Sequence, residues 1–387
     1  MKVLRLIGGL DPSHGGPAVS SMNSIIATQR AGAEITFAIP LEPSGRSAIE
    51  PAIKQLEQEG IIVVTFDCAA GSEKLFPGWG VNRELASWIR QKRLDFDIVH
   101  CHGAWQMVTL LTSFSSGKGP AKAITPHESL TNFDIAQSPN AVTKFLKPRL
   151  KARFLKKFDL FVMSSGLEAR DSLPADIAAS PRTAIISHPV YDDTSRILSA
   201  RTDTSSDNPL RLGYLGRLHQ KKNLDLLIAA LPKLDAKVSL TIAGTGPQEE
   251  ALKAKAATLG VADRINWLGF IHDKEAFFEQ IDVLVMPSEY ECFGMAAAEA
   301  IVDGIPVIVS RETGIAEIIE HHGGGQIIEP ATDQIVSAIK EFLAQPGHRD
   351  ALSQQAIQCA ERALSFKKHG EATVEAYQKL LERIENH

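Results

Sequence analysis

Short, mainly apolar runs and amphipathic stretches alternate along almost the whole of this 387-residue chain. Runs such as Ile98–Cys101 and Val283–Met286 are the length of single strands and are apolar at most positions, which is typical of strands buried on both faces. Stretches with helical periodicity separate them. This alternation predicts an α/β fold made of parallel sheets with helices on both faces.

A polar segment divides this pattern into two halves. Residues 191–209 are rich in Ser, Thr and Asp and lack apolar periodicity, so we interpret them as an interdomain linker. An N-terminal domain is therefore predicted over residues 1–190 and a C-terminal domain over residues 210–365. The last residues, 366–387, have the pattern of an amphipathic helix.

The predicted strands follow from these apolar runs. In the first half they are Val3–Ile7, Ile35–Ala38, Ile61–Phe66, Ile98–Cys101, Ala121–Thr125 and Leu160–Ser164, with a short one between residues 182 and 189. In the second half they are Leu210–Leu215, Ser239–Ala243, Asn266–Gly269, Val283–Met286, Val307–Val309 and Gln326–Ile328.

Composition excludes several classes of function. The net charge of −5 argues against nucleic acid as a partner. The four cysteines have no C-x-x-C spacing, so they predict neither a zinc site nor a disulfide framework. The N-terminal apolar run is too short for a signal peptide, and no apolar stretch approaches the roughly 18 residues that span a bilayer. We therefore expect a cytoplasmic protein.

Two carboxylates flank the start of a predicted helix in the second half. Glu291 lies in the loop after the strand Val283–Met286, and Glu299 lies on the helix Met295–Val302. A helix N-terminus has free N–H groups that favour phosphate, whereas a carboxylate accepts hydrogen bonds from hydroxyls. A sugar joined to a phosphate needs both.

Two cations follow another strand of the same half. Arg217 comes directly after Gly216 at the end of the strand Leu210–Leu215, and Lys222 comes five residues later, ahead of a helix. Positive charge at such a turn stabilises a pyrophosphate, and does so more strongly as the bond from phosphate to sugar breaks.

These stretches resemble the signatures of retaining GT-B glycosyltransferases of family 4, the glycosyl transferases group 1. The resemblance is pronounced from about Leu210 to Glu329 and weaker from Met1 to Gly166. It implies two Rossmann-like doubly wound domains facing a cleft, with the acceptor on the N-terminal domain and the nucleotide sugar on the C-terminal one. It also implies that the C-terminal helix crosses back to the N-terminal domain.

The resemblance also implies roles for the charged residues. The first Glu of the motif contacts the donor hexose and the second contacts the ribose, which places Glu291 and Glu299 in those roles. Arg217 and Lys222 match the two residues that clamp the pyrophosphate. The other residues of the motif expected to touch the donor are Phe293, Gly294 and Met295. Asn223 departs from the Gly usual after that lysine, but Asn tolerates positive φ better than most residues.

Two loops of the first half complete the predicted site. Gly15 and Gly16 resemble a family loop that lets the donor approach the backbone closely. His127 matches a histidine that faces the donor sugar and the acceptor. His100 and His102 alternate on one strand and point the same way. Such a pair can bind a metal ion, but no third ligand is evident near it. We expect His100 to be buried and His102, at the strand end, to line the acceptor cleft.

The predicted function is therefore transfer of a hexose, with retention, from a nucleotide-diphosphate sugar to a glycan or glycolipid acceptor. Neither a metal nor any other cofactor is expected, because Arg217, Lys222 and the helix N-terminus supply the positive charge. The pair Asp95 and Asp97 precedes a strand and is interpreted as structural. The expected pathway is assembly of a cell-surface polysaccharide or lipopolysaccharide. The alternatives are another GT-B enzyme, a sugar-nucleotide epimerase or phosphorylase, and a non-catalytic sugar-nucleotide-binding partner of a transferase.

Residues 144–157 form the most basic run and contain no acid. Phe145, Leu146, Leu150 and Phe154 are interleaved with its lysines and arginines. A basic amphipathic helix of this kind suits an anionic membrane surface, such as the inner face of the membrane. A core-facing helix with a solvated basic face is the alternative.

Overall fold

The computed structural model describes residues 1–9, 16–42, 46–68, 80–115, 119–138, 140–194, 198–200, 210–344 and 347–386. The chain divides into two compact units, the first made of Met1–Pro189 with Phe366–His387 and the second of Val190–Ser365. The described residues of the predicted linker, 191–194 and 198–200, belong to the second unit.

The first unit is built on a seven-stranded parallel sheet with the order β3-β2-β1-β4-β5-β6-β7. Its strands are β1 (Lys2–Ile7), β2 (Glu34–Leu41), β3 (Ile62–Asp67), β4 (Ile98–His102), β5 (Ala121–Thr125), β6 (Leu160–Met163) and β7 (Thr183–Ile185). Its described α-helices are Gly16–Arg30, Arg46–Gln58, Arg83–Lys92, Met107–Phe114, Asn132–Ala136, Ala141–Lys157, Gly166–Ser172, Ala175–Ala178 and Phe366–Glu385, with a 3-10 turn at Arg93–Asp95.

The second unit has a six-stranded parallel sheet with the order β10-β9-β8-β11-β12-β13. Its strands are β8 (Arg211–Leu215), β9 (Ser239–Ala243), β10 (Ile265–Gly269), β11 (Val283–Met286), β12 (Val307–Ser310) and β13 (Gly325–Ile328). Its described α-helices are Leu224–Ala230, Glu249–Thr258, Lys274–Phe278, Met295–Val302, Ile315–His322, Thr332–Ala344 and His348–Ala363, with 3-10 turns at Gln220–Lys222, Leu231–Lys233 and Ala262–Arg264.

The strand order of each sheet marks where a ligand would sit. In the first sheet the order reverses between β1 and β4, and in the second between β8 and β11. Doubly wound sheets bind ligands outside the carboxyl ends of the strands at such a reversal, because the loops on either side diverge there. All thirteen predicted strands are present, with ends shifted by a few residues at most, so the predicted doubly wound architecture is confirmed.

The helix Phe366–Glu385 packs within the first unit, which confirms the predicted return of the chain. Phe366, Tyr377 and Leu380 lie in the core of this unit. Gly370 crosses the helix Gly16–Arg30 so closely that a Cβ there would lie 2.2 Å from the Ala27 carbonyl oxygen. A glycine is therefore required at this crossing.

Candidate active site

The loops after β8 and β11 meet at the strand-order reversal of the second sheet. Lys222 ends the 3-10 turn Gln220–Lys222, and Asn223 follows with φ 50° and ψ 31°. This is the left-handed conformation that glycine adopts most readily, so Asn223 replaces the usual Gly without a change of backbone. The Glu289 N–H donates to the Lys221 carbonyl at 2.7 Å, which joins the two loops directly.

Lys222 and Glu291 form an ion pair between Nζ and Oε2. The two side chains are mostly buried, with 14% and 17% of their surfaces exposed. The backbone of Glu291 is held on both sides, because its N–H donates to the Glu312 carbonyl and its carbonyl accepts from the Gly314 N–H, each at 2.9 Å. The structure thus brings together two residues that the sequence analysis assigned to different parts of one ligand.

Arg217 is exposed and lies directly after β8, on a turn that Tyr214 and the loop after β9 hold in place. The Tyr214 hydroxyl donates to its carbonyl at 3.1 Å. Gly244 and Gly246, after β9, pack against the same turn. A Cβ on Gly244 would lie 1.9 Å from the Gly216 carbonyl oxygen, and one on Gly246 would lie 2.3 Å from that of Leu218. These glycines allow the two loops to touch, and this contact positions Arg217.

The helix Met295–Val302 begins beside the ion pair. Gly294 precedes it with φ 101°, and a Cβ there would lie 2.8 Å from the Thr313 side chain. Phe293 is buried, and its carbonyl accepts from the Ile315 N–H at 2.6 Å. The first N–H groups of the helix have no partner within the helix, so they add positive potential next to Lys222.

Glu299 has a partner that the sequence did not indicate. The Lys274 Nζ donates to its Oε1 at 2.6 Å from the helix Lys274–Phe278. Burial raises the pKa of Glu299, whereas Lys274 acts in the opposite direction. Lys274 is 25 residues away in the chain, which is why sequence spacing could not reveal it.

The field of this loop is positive. The pKa of His219 is lowered, first by partial burial and then by Arg217, Lys221 and Lys222. The three cations therefore give this loop a positive local potential.

In the first unit, His127 lies after the carboxyl end of β5. Its φ is +50° and that of Glu128 is +71°, an uncommon conformation for two consecutive non-glycine residues. His127 Nε2 lies 3.0 Å from Ser21 Oγ, in the helix that begins at Gly16. His127 therefore contacts the helix that begins at the predicted residue Gly16, whereas Gly15 lies outside the described residues.

A buried arginine connects the histidines of this unit. Arg5 is fully buried, and its Nη1 lies 2.9 Å from both His100 Nδ1 and His102 Nε2. His102 Nδ1 in turn lies 3.0 Å from His127 Nε2. The prediction that His100 is buried is confirmed. The prediction that His102 lines a cleft is wrong, because His102 is 1% exposed, covered by Arg5 and His127.

The imidazoles of this cluster are neutral. Burial is the main cause that lowers the pKa of His127 to about 4, and Arg5 adds to it. The pKa values of His100, His102 and His188 lie well below the ordinary value for the same main reason. Tyr377 joins this cluster, with its hydroxyl oxygen 2.5 Å from His100 Nδ1.

Glu168 supports the strained loop and was missed by the sequence analysis. It is fully buried, and its Oε1 accepts from the Glu128 N–H at 2.8 Å. Its Oε2 accepts from the N–H and the hydroxyl of Ser164. Only the position of Glu168 in the first turn of a helix after β6 was visible in the sequence, and this does not distinguish it from an ordinary helix residue.

Within the described residues, no group of three or more His, Cys, Asp or Glu side chains is arranged to hold a metal ion. Asp97 accepts from the Lys2 backbone N–H at 2.8 Å, at the amino end of the sheet. No described helix is both long and apolar enough to cross a membrane.

Comparison with known proteins agrees with this geometry. Residues 199–358 match the model of the glycosyl transferases group 1 family. The chain is 32% identical over 183 residues to the uncharacterized glycosyltransferase MJ1607 of Methanocaldococcus jannaschii, covering 46% of this chain and 47% of that protein. It is 28% identical over 236 residues to a GDP-mannose-dependent phosphatidylinositol dimannoside mannosyltransferase of Mycobacterium tuberculosis, covering 59% of this chain and 60% of that protein.

Among solved structures, Anabaena Alr3699/HepE in complex with UDP matches over 100% of both chains, with a TM-score of 0.71 and 17% identity. The fold is therefore GT-B, as the sequence predicts. The similarity to the glycosyl transferases group 1 family covers residues 199–358. The aligned stretches span about half to three-fifths of the two curated relatives.

Proposed function

We propose that this protein is a retaining glycosyltransferase that moves a hexose from a nucleotide-diphosphate sugar to a glycan or glycolipid acceptor. The observation that carries the proposal is the pairing of Lys222 with Glu291 beside a helix N-terminus, at the strand-order reversal of a GT-B domain. The names of the relatives support it, because they include a GDP-mannose-dependent mannosyltransferase with a lipid-linked acceptor.

In this proposal, Arg217, Lys222 and the helix N-terminus bind the pyrophosphate. Glu291 accepts hydrogen bonds from the hexose and Glu299 from the ribose. The bond from the anomeric carbon to the phosphate oxygen breaks, and a bond to the acceptor oxygen forms on the same face. The hydroxyl proton passes to an oxygen of the departing phosphate. Fixed cations stabilise the charge on the leaving group, so neither a metal nor another cofactor is proposed.

Two neighbouring lysines provide a matched test. Lys222→Ala should lower turnover by on the order of 10²-fold, as removal of a preorganised charge donor does. Lys221→Ala, on the same 3-10 turn, is the control and should retain most of the activity. A folded Lys222→Ala protein with wild-type turnover would contradict the site assignment.

The substrate class needs a separate measurement. Thermal unfolding in the presence of a panel of nucleotide sugars should show stabilisation by the true donor through mass action. Transfer or slow hydrolysis of that donor supports an enzyme. Stabilisation without any turnover supports the non-catalytic alternative, and epimerised or phosphorolysed products support the other two.

We also propose that the protein acts at the inner face of a membrane, in the assembly of a cell-surface polysaccharide or lipopolysaccharide. The helix Ala141–Lys157 buries only Phe154 fully. Val142, Phe145 and Leu146 near its start are 65%, 57% and 45% exposed. Apolar side chains between cations are what an anionic membrane surface binds. Some of the cations have partners within the protein: Lys147 pairs with Asp134 at 2.7 Å, Lys151 donates to Asn132 Oδ1 at 2.9 Å, and Arg153 donates to Ser113.

Liposome flotation tests this surface. Phe145→Ser with Leu146→Ser should strongly reduce binding to phosphatidylserine vesicles, and reversal of Lys156 and Lys157 to Glu should do the same at low salt. Neutral vesicles are the control for charge. If the wild type ignores anionic vesicles at low salt, the helix simply has a solvated basic face.

A further inference from the structure

We propose that Arg5 and His102 are positioning residues that hold His127 as its Nδ1–H tautomer, so that His127 offers a hydrogen-bond donor and not a base. The inference goes beyond the proposed function, on which it rests only in taking His127 to touch a substrate. It follows from a chain of hydrogen bonds from Arg5 to His127. Only the residue at one end of this chain has a fixed role as donor, and that role determines every donor and acceptor after it.

That end is Arg5. A guanidinium has no acceptor and keeps its proton in proteins, so every hydrogen bond it makes is a donation. The two hydrogens of its Nη1 therefore go to His100 Nδ1 and His102 Nε2, at 2.9 Å each. Its Nη2 donates to Thr28 Oγ1 at 2.8 Å. Within the described part of the chain, no carboxylate pairs with Arg5, so these acceptors hold it.

Each histidine then passes the direction on. His102 must carry its proton on Nδ1, because Nε2 accepts from Arg5. Nδ1 lies 3.0 Å from His127 Nε2, which must accept. The Ser21 hydroxyl, also 3.0 Å from Nε2, has a second acceptor in the Pro17 carbonyl at 2.7 Å. His127, neutral through burial, therefore carries its proton on Nδ1.

The second branch keeps Arg5 in place. His100 accepts from Arg5 on Nδ1, so its Nε2–H donates to Thr125 Oγ1 at 2.8 Å. Tyr377 also donates to Nδ1, and Arg5 lies over its ring at 5.6 Å. His102 stacks on His100 with centroids 4.9 Å apart, and on His127 at 5.3 Å. These contacts leave the rings of His100, His102 and His127 little freedom to rotate. We call these three histidines together with Arg5 the relay.

The consequence concerns what His127 can do. No described residue accepts a hydrogen bond from its Nδ1, so this N–H is available to a ligand oxygen. A base would need a bare nitrogen there. The positive φ of His127 is consistent with a backbone held to aim this nitrogen.

The tautomers can be read directly by nitrogen-15 NMR of histidine-labelled protein. The chain has 12 histidines, and loss of one signal set in His127→Gln assigns the residue. We expect His127 and His102 protonated on Nδ1 and bare on Nε2, without change between pH 6 and pH 8. His127 protonated on Nε2 in the wild type would overturn the proposal. This readout does not depend on any enzymatic activity.

Two substitutions of His102 separate positioning from packing. An Asn amide reaches the place of Nδ1, so His102→Asn can still donate to His127 but leaves Arg5 one acceptor short. A Gln amide reaches the place of Nε2, so His102→Gln can accept from Arg5 but no longer donates to His127. We therefore expect His102→Gln to be the more stable variant. His102→Asn, in contrast, should better preserve the Nδ1–H tautomer of His127.

Activity should follow the tautomer. We expect His102→Gln to give His127 a mixed tautomer and to lower kcat by roughly tenfold with little change in KM for the donor, the effect of losing one directed donor. His102→Asn should recover most of that loss despite a lower melting temperature. If kcat follows melting temperature instead, the two residues only pack the core. If no nucleotide sugar is a substrate but the tautomers are as expected, the proposed function fails and the relay stands.

Discussion

Acid should destabilise the first unit through its buried histidines. Burial lowers the pKa of His127 and of His369 from 6.5 to about 4. Below pH 6.5 the unfolded chain takes up protons at these residues, whereas the folded unit does not. Their contribution to stability is therefore intact at pH 7 and is lost as the pH falls toward 4.

The magnitude follows from this shift. Between pH 7 and pH 5, a histidine with these two pKa values removes about 2 kcal/mol from the free energy of unfolding. The pair together removes about 4 kcal/mol, a large part of the 5–15 kcal/mol that typically holds a domain folded. His100, His102 and His188 act in the same direction, since their pKa values are also lowered. Buried Glu168 acts in the opposite direction, because burial raises its pKa.

Urea unfolding at pH 7 and pH 5 measures the effect. The chain has four tryptophans, and Trp267 is the one that belongs to the second unit. In a Trp267→Phe background, tryptophan fluorescence therefore reports on the first unit alone. We expect the free energy of unfolding to fall by at least about 4 kcal/mol between the two pH values.

One variant isolates a single histidine. His369 donates from Nδ1 to the Ser187 carbonyl at 2.7 Å, a bond that His369→Asn can keep. This variant should lose about 2 kcal/mol less than the parent on acidification. Phe366→Leu, in the same helix, is the control: it should lower stability equally at both pH values. If His369→Asn has the pH dependence of the parent, the neutral-histidine argument is refuted.

Three further predictions concern the proposed donor site. Glu299→Gln should weaken binding of a bare nucleoside diphosphate by roughly tenfold, measured by calorimetry, because the ribose loses an acceptor; Glu291→Gln should not weaken that binding and should lower transfer instead. Transfer should persist in excess chelator, and a loss restored by Mg²⁺ would return Asp95 and Asp97 as candidate ligands. Gly244→Ala should displace the turn that carries Arg217 and lower both the melting temperature and donor affinity. Gly260→Ala, at a positive φ but with open space, should cost only backbone strain of about 1 kcal/mol.

The sequence predicted the architecture well because parallel strands are marked locally. The predicted strands are mainly apolar runs, and central ones such as β4, β11 and β12 are buried along their whole length. The pairing of Lys222 with Glu291 also follows from the sequence, once β8 and β11 are known to be neighbours. Their motifs sit at equivalent ends of adjacent strands, so topology alone brings them together.

The relay in the first unit could not be predicted in this way. Arg5 lies within a strand, between the apolar residues Leu4 and Leu6. No residue near it in the sequence explains a buried cation at this position. Its partners are 95 and 97 residues away, and Tyr377 contacts His100 across 277 residues. Lys274 and Glu168 are hidden for the same reason, since their partners come from other elements. The spacing of residues within one element indicates whether it is a helix or a strand. It does not indicate which polar side chain of another element will contact it.

The ion pair suggests why the proposed site would select a sugar phosphate over either part alone. Lys222 and Glu291 are mostly buried, and a buried charge left without a partner is strongly destabilising. A pyrophosphate that draws Lys222 away leaves Glu291 without its cation. Hydroxyl donors from an attached hexose then satisfy the carboxylate, whereas bare pyrophosphate offers it only further negative charge. A nucleotide sugar should therefore bind more tightly than pyrophosphate, and Glu291→Gln should reduce that difference because a neutral amide needs no cation.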